Sequence, residues 1–318
     1  MRIVTAEDID RVLTYGALID ALRAAFRGGV EAPPRHHHTV PQPGADATLL
    51  LMPAWSAAIE SAGQRFLGCK LVTVFPDNAA AGKPSVHGSY FLMSGETGQP
   101  LAIMEGRALT AWRTAAASAL AATFLARGDA SQLIMVGAGA LAPHLVRAHA
   151  TVRTIKRVSL WNRTRHRAVA TAFGLAASGI EIEVVDELEP AVREADIVSC
   201  ATLSPTPLID GNWLKKGAHL DLVGGFTPKM READDRAIKR ARVFVDTYAG
   251  ATKEAGDIVQ PLRRKVLGKD DIEGELAELC RGKTKGRKTE NEITLFKSVG
   301  AAIEDLAAAV LVWRGLGS

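Results

Sequence analysis

The fold is decided by the stretch Gln132-Leu133-Ile134-Met135-Val136-Gly137-Ala138-Gly139-Ala140-Leu141-Ala142. A short apolar run, rich in β-forming residues, ends in Gly-x-Gly-x-x-Ala and continues as a helical pattern. This order predicts a parallel strand that turns into a helix whose N-terminal amides can hold a dinucleotide pyrophosphate. Gly137 permits the tight turn, Gly139 leaves room for the phosphates, and Ala142 lets the helix pack closely on the strand. The stretch therefore predicts a nicotinamide or flavin dinucleotide site and redox chemistry.

The second strand of the same pattern bears on the choice of cofactor. Residues 157–161 have a strand pattern and are followed by Asn162, Arg163 and Thr164. In NAD-binding domains an acidic residue usually stands here and binds the ribose 2′-hydroxyl. This segment has no carboxylate to repel a 2′-phosphate, Arg163 offers a planar fork of donors, and Asn162 and Thr164 offer neutral donors. The segment predicts NADPH, with NADH as the alternative cofactor; it could also simply form the solvated start of the next helix.

Composition limits the class of protein. The chain has 318 residues, 47% of them hydrophobic and 23% charged, with a net charge of +4, which suits two soluble domains. Three widely spaced cysteines indicate a reducing compartment without a disulfide framework, and no apolar run reaches the length of about 18 residues that a membrane span needs. The one basic run, residues 281–288, lacks interleaved aromatic residues and predicts an exposed loop. We expect a cytoplasmic protein that binds neither nucleic acid nor membrane.

The order of predicted elements divides the chain into two regions. The first 30 residues have a helical pattern, and a mostly antiparallel region follows, with a hairpin over residues 89–104. A long Ala-rich helix is predicted from about residue 110 to 126, and the tail over residues 293–313 is also predicted to be helical. Between these two helices the strands are predicted at 132–136, 157–161, 181–185, 195–200, 218–223 and 242–246.

This alternation of strands and helices predicts an α/β fold with a Rossmann-type, doubly wound parallel sheet. We place that domain at residues 121–295. A second, α+β domain would be made from both chain ends, residues 1–120 and 296–318, because the tail could pack back on the N-terminal region.

Three basic residues stand in apolar or stiff surroundings. Arg35 follows two prolines, Lys70 lies within an apolar strand pattern, and Arg113 lies on the Ala-rich helix. Cations are rarely buried without an anionic partner, and one substrate carboxylate could be the partner of all three. Alternatively, each pairs with a protein carboxylate or extends into solvent.

Two other motifs are set aside. The run His36-His37-His38 alternates between two faces of an extended chain and has no further ligand at a typical spacing, so no metal site is predicted. The triplet Gly282-Lys283-Thr284 lacks the earlier glycine and the preceding strand of a phosphate-binding Walker loop.

Five segments together resemble the ornithine cyclodeaminase/μ-crystallin family. They are Lys70 with its strand, residues 109–118 (Leu-Thr-Ala-Trp-Arg-Thr-Ala-Ala-Ala-Ser), the Gly137 turn, residues 221–225 (Asp-Leu-Val-Gly-Gly) and residues 292–300 (Glu-Ile-Thr-Leu-Phe-Lys-Ser-Val-Gly). The resemblance covers essentially the whole chain. It implies a Rossmann domain, a substrate and dimerisation domain built from both chain ends, and a homodimer.

The resemblance also implies roles for individual residues. Arg35, Lys70 and Arg113 match the family's clamp for a substrate carboxylate, with Lys70 and Arg113 also catalytic, and Val299 lies beside the substrate. Together with the glycine turn and the loop at residues 162–164, the resemblance gives the full set of predicted cofactor contacts. These are Ser85, His87, Arg113, Gly137, Gly139, Ala140, Leu141, Asn162, Arg163, Thr164, Thr202, Val223 and Ser298.

One departure from the family pattern narrows the predicted reaction. True cyclodeaminases carry an Asp directly after the Gly-Gly of residues 224–225, whereas Phe226 stands there in this chain. Phenylalanine can neither pair with an ammonium group nor act as a base, so ornithine cyclisation is disfavoured. The apolar side chain of Phe226 instead suits a substrate with an uncharged ring. The pattern of residues 226–232, Phe-Thr-Pro-x-Met-Arg-Glu, resembles the branch that reduces cyclic imino acids.

The resulting hypothesis is that NADPH passes a hydride to the C=N carbon of Δ1-pyrroline-2-carboxylate, giving L-proline. The six-membered Δ1-piperideine-2-carboxylate would be a second substrate, giving L-pipecolate. The clamp fixes the carboxylate, and Lys70 or water supplies the proton for the imine nitrogen. The alternatives are a reductive aminase of the alanine-dehydrogenase kind and a non-catalytic, NADPH-dependent binding protein of the μ-crystallin kind.

Overall fold

The computed structural model describes residues 1–56, 64–176 and 179–317. The described strands are β1 Arg2–Val4, β2 Val30–Glu31, β3 His36–Val40, β4 Ala47–Ser56, β5 Phe66–Val74, β6 Val86–Ser94, β7 Pro100–Glu105, β8 Gln132–Val136, β9 Arg157–Trp161, β10 Glu181–Val184, β11 Ile197–Cys200, β12 His219–Leu222, β13 Ala241–Val245, β14 Ile272–Glu275 and β15 Ile293–Lys297. The described α-helices are α1 Ala6–Val12, α2 Tyr15–Ala24, α3 Gly106–Leu125, α4 Ala142–Val152, α5 Arg165–Leu175, α6 Leu188–Glu194, α7 Asp235–Arg240, α8 Tyr248–Glu254, α9 Gly256–Arg263, α10 Leu276–Cys280 and α11 Ala302–Gly315. None of the helices in these ranges is long and apolar enough to cross a membrane.

The chain divides into two compact units. Unit 1 comprises Met1–Arg113 and Ala301–Ser318, and unit 2 comprises Thr114–Gly300. We predicted the limits after residue 120 and before residue 296. The boundaries between the two units lie instead inside helix α3 and directly before helix α11.

Unit 1 is built on a largely antiparallel sheet with the strand order β1-β7-β6-β5-β4-β2, with β3 also paired to β4. Met52, Lys70, Tyr90 and Met104 lie side by side on four successive strands, and all four side chains are buried. Helix α11 packs on β4, β5 and β6. Because side chains alternate between the two faces of a strand, Lys70 lies on the inner face of the sheet.

Unit 2 is an all-parallel sheet with the order β10-β9-β8-β11-β12-β15-β13-β14. The chain runs outward from β8 through β9 and β10, then returns to β11 on the other side of β8. The carboxyl ends of β8 and β11 therefore flank the point where the strand order reverses, which is where open α/β sheets bind ligands. The predicted α/β class and parallel sheet are confirmed, and the six predicted strands of this region are present.

The prediction that residues 293–313 form one helix is wrong. Residues Ile293–Lys297 are strand β15, which pairs with β12 and β13 in the middle of the sheet, and only α11 is helical. All five strand residues are buried, and a short apolar run of this kind has no periodicity that separates a buried strand from a helix. Because the sequence that follows is Ala-rich and helical, no change of pattern marks the end of the strand. Strands β1 and β14 were also missed, since they have only three and four residues.

The basic run at residues 281–288 is not simply an exposed loop. Arg287 is half-buried and donates to the carbonyl of Leu125 (Nε, 2.8 Å). Arg153 donates to the carbonyls of Ala122 (2.7 Å) and Ala126 (2.9 Å). The last carbonyls of a helix lack partners within the helix and carry partial negative charge, so these two cations stabilise the end of α3.

Candidate active site

The glycine turn after β8 has the geometry that the sequence predicts. Gly137 has φ +109°, a conformation that side-chain-bearing residues rarely adopt, and a Cβ there would lie 2.6 Å from the carbonyl oxygen of Ala201. Its amide donates to the carbonyl of Trp161 (2.8 Å), which ties the turn to the end of β9. A larger residue at position 137 would therefore displace the turn.

The turn presents a site that fits a dinucleotide pyrophosphate. A Cβ added at Gly139 would meet no atom within 4 Å. The amides of Gly139, Ala140 and Leu141 donate to no other residue in the described ranges, and helix α4 begins directly after them. Amides pointing from a helix N-terminus into open space bind anions, so these three residues could hold the phosphates.

The loop after β9 contains the three residues predicted to select the cofactor. Asn162 links the loop to the glycine turn, since its Oδ1 accepts from the Ala138 amide (3.2 Å) and its Nδ2 donates to the Thr164 carbonyl (2.9 Å). Its amide group is thus engaged within the protein. Arg163 is exposed and forms no ion pair with any part of the chain that the structure describes. Of the three residues, Arg163 is therefore the one that offers a positive charge to an anionic ligand.

A buried carboxylate holds the loops that follow β11 and β12. Glu232 is fully buried, and its Oε1 accepts from the amide (2.7 Å) and hydroxyl (2.8 Å) of Thr202. Its Oε2 accepts from the amides of Gly224 (2.7 Å) and Gly225 (3.2 Å). One side chain thus fixes two neighbouring loops at the carboxyl edge of the sheet, next to the predicted contacts Thr202 and Val223.

Lys297 supplies the positive charge of this network. Its Nζ is buried and lies 3.4 Å from Oδ2 of Asp257 and 4.0 Å from Oε2 of Glu232. Asp257 in turn accepts from the amides of Glu232 (2.8 Å) and Ala233 (3.0 Å). Burial raises the pKa of Glu232, while the charge of Lys297 opposes that rise. Sequence reasoning missed this network, although Glu232 and Lys297 stand within the segments that carried the family resemblance.

The remaining predicted residues of unit 2 lie after neighbouring strands. Val223 directly follows β12, and Ser298 directly follows β15, which pairs with β12. Both are buried, and the Ser298 amide donates to the carbonyl of Leu222 (3.2 Å). The Val299 amide donates to Oδ2 of Asp246 (2.7 Å). These contacts fix Val223, Ser298 and Val299 at one edge of the sheet; their contacts with cofactor and substrate stay predictions.

Unit 1 brings Lys70 and Arg113 together on a carboxylate that was not predicted. Nζ of Lys70 lies 2.8 Å from Oδ1 of Asp305, and Nε of Arg113 lies 3.0 Å from the same oxygen. Nη1 of Arg113 also donates to Oε2 of Glu304 (2.7 Å). All four side chains are buried. Both cations therefore pair with protein carboxylates, and their contact with a substrate carboxylate stays a prediction.

Arg35 belongs to the same electrostatic environment. The pKa of Lys70 is lowered to about 8, chiefly by burial and then by the charge of Arg113, with a further contribution from Arg35. The charge of Asp305 acts in the opposite direction and raises this pKa. The three cations are thus close enough for the charges of Arg113 and Arg35 to act on Lys70. Such a site is suited to one further anionic group.

Two other predicted residues of unit 1 lie near its surface. Ser85 is half-buried and its carbonyl accepts from the Phe75 amide (2.8 Å), while His87 is exposed on β6. Their predicted contacts with the cofactor stay predictions. No cluster of three or more His, Cys, Asp or Glu residues with metal-binding geometry occurs among residues 1–56, 64–176 and 179–317.

The sequence profile of the ornithine cyclodeaminase/mu-crystallin family matches residues 2–316. The chain belongs to this family. Among its relatives, Protein SAR DEFICIENT 4 of Arabidopsis thaliana is 43% identical over 97% of this chain and 95% of that protein. The Delta(1)-pyrroline-2-carboxylate reductase of Colwellia psychrerythraea is 37% identical over 97% of both chains.

Two solved structures share the fold along nearly the whole chain. The Delta(1)-pyrroline-2-carboxylate reductase of Thermococcus litoralis, in complex with NADH and L-proline, has a TM-score of 0.91 and 33% identity, covering 99% of this chain and 97% of that one. An archaeal alanine dehydrogenase dimer with bound NAD has a TM-score of 0.88 and 29% identity, covering 99% and 95%.

Phe226 stands where the resemblance led us to expect an Asp in cyclodeaminases. Its side chain is 44% exposed, and its amide donates to the carbonyl of Gly224 (2.7 Å). It follows directly the two glycines that Glu232 binds. No carboxylate stands at this position to hold a substrate amine.

A second buried polar network in unit 2 joins His219 to Thr294. The Thr294 hydroxyl donates to the Leu125 carbonyl (2.8 Å), so Nδ1 of His219, 3.0 Å from that hydroxyl, must be the donor. Nε2 of His219 then carries no proton, and it has no hydrogen-bond partner in the described part of the chain. Burial lowers the pKa of His219 to about 3, although nearby Asp221 opposes this effect.

The neutral His219 should make the protein sensitive to acid. The pKa is about 3 in the folded chain against 6.5 in the unfolded chain, so below pH 6.5 the unfolded chain binds an extra proton. The free energy of unfolding should fall by up to a few kcal/mol as the pH decreases from about 6.5 towards 3. Urea denaturation between pH 7 and 4.5 measures this loss. His219→Asn keeps a donor at the Nδ1 position without the titration, so an equally steep pH dependence in that variant would contradict the assignment.

Proposed function

We propose that this chain uses NAD(P)H to reduce a cyclic imino acid, Δ1-pyrroline-2-carboxylate, to L-proline. Δ1-piperideine-2-carboxylate, which would give L-pipecolate, is proposed as a second substrate. The cluster of Lys70, Arg113 and their carboxylates, with Arg35 close enough to lower the pKa of Lys70, carries this proposal, because a group of converging cations suits a substrate carboxylate. The match to the Thermococcus reductase described with NADH and L-proline supports the same substrate class.

The residues of unit 2 would bind and orient the cofactor. The amides of Gly139, Ala140 and Leu141 would hold the pyrophosphate, and Gly137 would keep the turn in the required conformation. The Glu232 carboxylate would hold Thr202 and the loop after β12 in place. When bound, the nicotinamide supplies the hydride that the imine carbon accepts.

The residues of unit 1 would bind the substrate and supply a proton. Arg35, Lys70 and Arg113 would fix the carboxylate and so present one face of the ring for reduction. The imine nitrogen gains a proton as the neighbouring carbon gains a hydride. Lys70 has a pKa of about 8, so it is protonated at neutral pH, yet it releases a proton more readily than an ordinary lysine. We therefore assign this proton to Lys70.

The purified protein tested with a panel of substrates distinguishes the candidate activities. We expect oxidation of NADPH with either cyclic imine and no added amine. Activity on pyruvate that requires ammonia or methylamine would instead indicate a reductive aminase, which the match to alanine dehydrogenase makes the second candidate. Ammonia release from L-ornithine would indicate a cyclodeaminase, and ligand binding without turnover would indicate a binding protein.

We also propose that NADPH is preferred over NADH, because Arg163 is exposed and the loop at residues 162–164 has no carboxylate. Arg163→Ala should raise the KM for NADPH about tenfold or more and leave the KM for NADH nearly unchanged, since one charge-assisted interaction contributes about 1.5–3 kcal/mol. Steady-state kinetics with both cofactors measure the ratio. Equal losses for NADPH and NADH would contradict an interaction with the 2′-phosphate.

A homodimer is proposed from the sheet of unit 1. Pro53, Cys69, Phe91 and Ile103 lie side by side on β4 to β7, on the face opposite Lys70, and all are only half-buried. Ile3, the next residue in this row, is 76% exposed. Apolar rows of this kind commonly mark interfaces, and the related alanine dehydrogenase is a dimer. Sedimentation should give twice the mass of the chain; a monomer at assay concentration would contradict the proposal.

A further inference from the structure

Two acidic residues at the start of helix α11 are buried beside the predicted substrate clamp. Glu304 and Asp305 lie in the first turn of the helix and have no exposed surface. Carboxylates are stabilised near a helix N-terminus, but a buried carboxylate is costly without cationic partners. The partners here are Lys70 from β5 and Arg113 from α3, which lie 235 and 192 residues away from Asp305 in the sequence.

The two carboxylates have different roles in the geometry. Asp305 is shared, since Lys70 Nζ (2.8 Å) and Arg113 Nε (3.0 Å) both donate to its Oδ1. Glu304 receives Nη1 of Arg113 (2.7 Å), and its charge is not among the causes that shift Lys70. Of these two carboxylates, Asp305 is therefore the one that joins both cations, whereas Glu304 binds Arg113.

We propose that Asp305 is a positioning residue of this active site, which orients Lys70 and Arg113 for the substrate carboxylate and helps Lys70 to retain its proton. The inference rests on the proposed function. Asp305 acts through its neighbours, and its negative charge keeps two cations close together that would otherwise repel each other. Without that charge the pair would separate or lose a proton.

The electrostatic surroundings of Lys70 give this proposal a specific signature. Burial, Arg113 and Arg35 all lower the pKa of Lys70, and Asp305 raises it. The other titratable neighbours, Tyr90 and Cys69, have pKa values raised above their usual ranges, chiefly by burial, and stay neutral at neutral pH. Removing the charge of Asp305 should therefore lower the pKa of Lys70 below 8, whereas removing that of Glu304 should not.

The direct test is the titration of Lys70 in the full-length protein, followed by NMR of protein labelled with ¹³C at lysine Cε. The Lys70→Arg variant assigns the signal. We expect Asp305→Asn to move the titration midpoint of Lys70 to lower pH by about one unit or more, with Glu304→Gln as the matched control that leaves it unchanged. An unchanged midpoint in a folded Asp305→Asn protein would overturn the proposal.

Kinetics provide a second readout. The variant Asp305→Glu is added so that the proposal stays testable if Asp305→Asn does not fold. In Asp305→Asn, kcat/KM for Δ1-pyrroline-2-carboxylate should fall at least tenfold, and its decline on the basic side should begin at lower pH. Asp305→Glu keeps the charge but displaces both cations; it should keep the Lys70 midpoint near that of the parent protein and still lose activity. Full activity in Asp305→Glu would overturn the positioning role.

The titration separates this inference from the proposed function. If the parent protein reduces no imine but its Lys70 midpoint still depends on Asp305, the proposed activity fails and the electrostatic link stands. If the imine is reduced and the midpoint is the same in the Asp305→Asn protein, the activity stands and the inference fails.

Discussion

Lys70→Met is expected to lower kcat/KM for Δ1-pyrroline-2-carboxylate by about 10³-fold or more. The variant removes a charge-assisted bond to the substrate carboxylate and the proposed proton donor, and general acid catalysis alone contributes about 10²–10⁴-fold. It also leaves Asp305 with Arg113 as its remaining cationic partner among those described here. Steady-state kinetics at pH 7 measure the loss, and NADPH affinity, read by fluorescence, should stay near that of the parent protein.

The matched variant Lys70→Arg separates the two roles of Lys70. Arginine keeps the positive charge but does not release a proton near neutral pH, so kcat should fall while KM for the imine changes less. The parent protein should lose kcat/KM as the pH rises above about 8, where Lys70 becomes deprotonated. A Lys70→Met protein within tenfold of the parent activity would show that Lys70 neither binds the substrate nor donates the proton.

Lys297→Met is expected to reduce the free energy of unfolding by about 3–5 kcal/mol, the usual effect of removing one partner from a buried ion pair. The variant leaves the buried carboxylates of Glu232 and Asp257 without the lysine that lies between them. Urea denaturation at pH 7 measures the change. NADPH binding should weaken as well, because Glu232 holds Thr202, a proposed cofactor contact, and the loop at Gly224 in place.

The pH dependence of the Lys297→Met effect identifies its cause. An unpaired buried carboxylate has a raised pKa and becomes neutral on protonation, so the difference in stability from the parent protein should shrink as the pH is lowered. The double variant Lys297→Met/Asp257→Asn should recover part of the loss, since it removes one uncompensated charge. A loss that is the same at every pH would indicate altered packing instead of unpaired charge.

Local patterns in the sequence were enough to predict the parallel sheet of unit 2 and its strands β8 to β13, but not β14 and β15. A Gly-x-Gly-x-x-Ala turn after an apolar run, followed by alternating strands and helices, specifies a parallel sheet because each element has its own periodicity. β15 escaped prediction because Ile293–Lys297 is short, fully buried and followed by an Ala-rich helix. The position of this strand in the middle of the sheet depends on its pairing with β12 and β13, which no local pattern encodes.

The cations of the candidate site were predictable, whereas their protein partners were not. Lys70 and Arg113 stood out as charges in apolar segments, and this property is visible in the sequence itself. Glu304 and Asp305 also interrupt an apolar helix, and that was the available signal, but their pairing joins parts of the chain about 200 residues apart. Glu232 likewise acts through backbone amides, and only the folded loops bring those amides to it.

Supplying the purified protein with Δ1-pyrroline-2-carboxylate and NADPH, without any added amine, and quantifying L-proline tests the proposed reduction. We expect one L-proline formed for each NADPH oxidised, at a rate that falls in Lys70→Met. Absence of L-proline with both NADPH and NADH, from a folded protein that binds the cofactor, would contradict the proposed reduction.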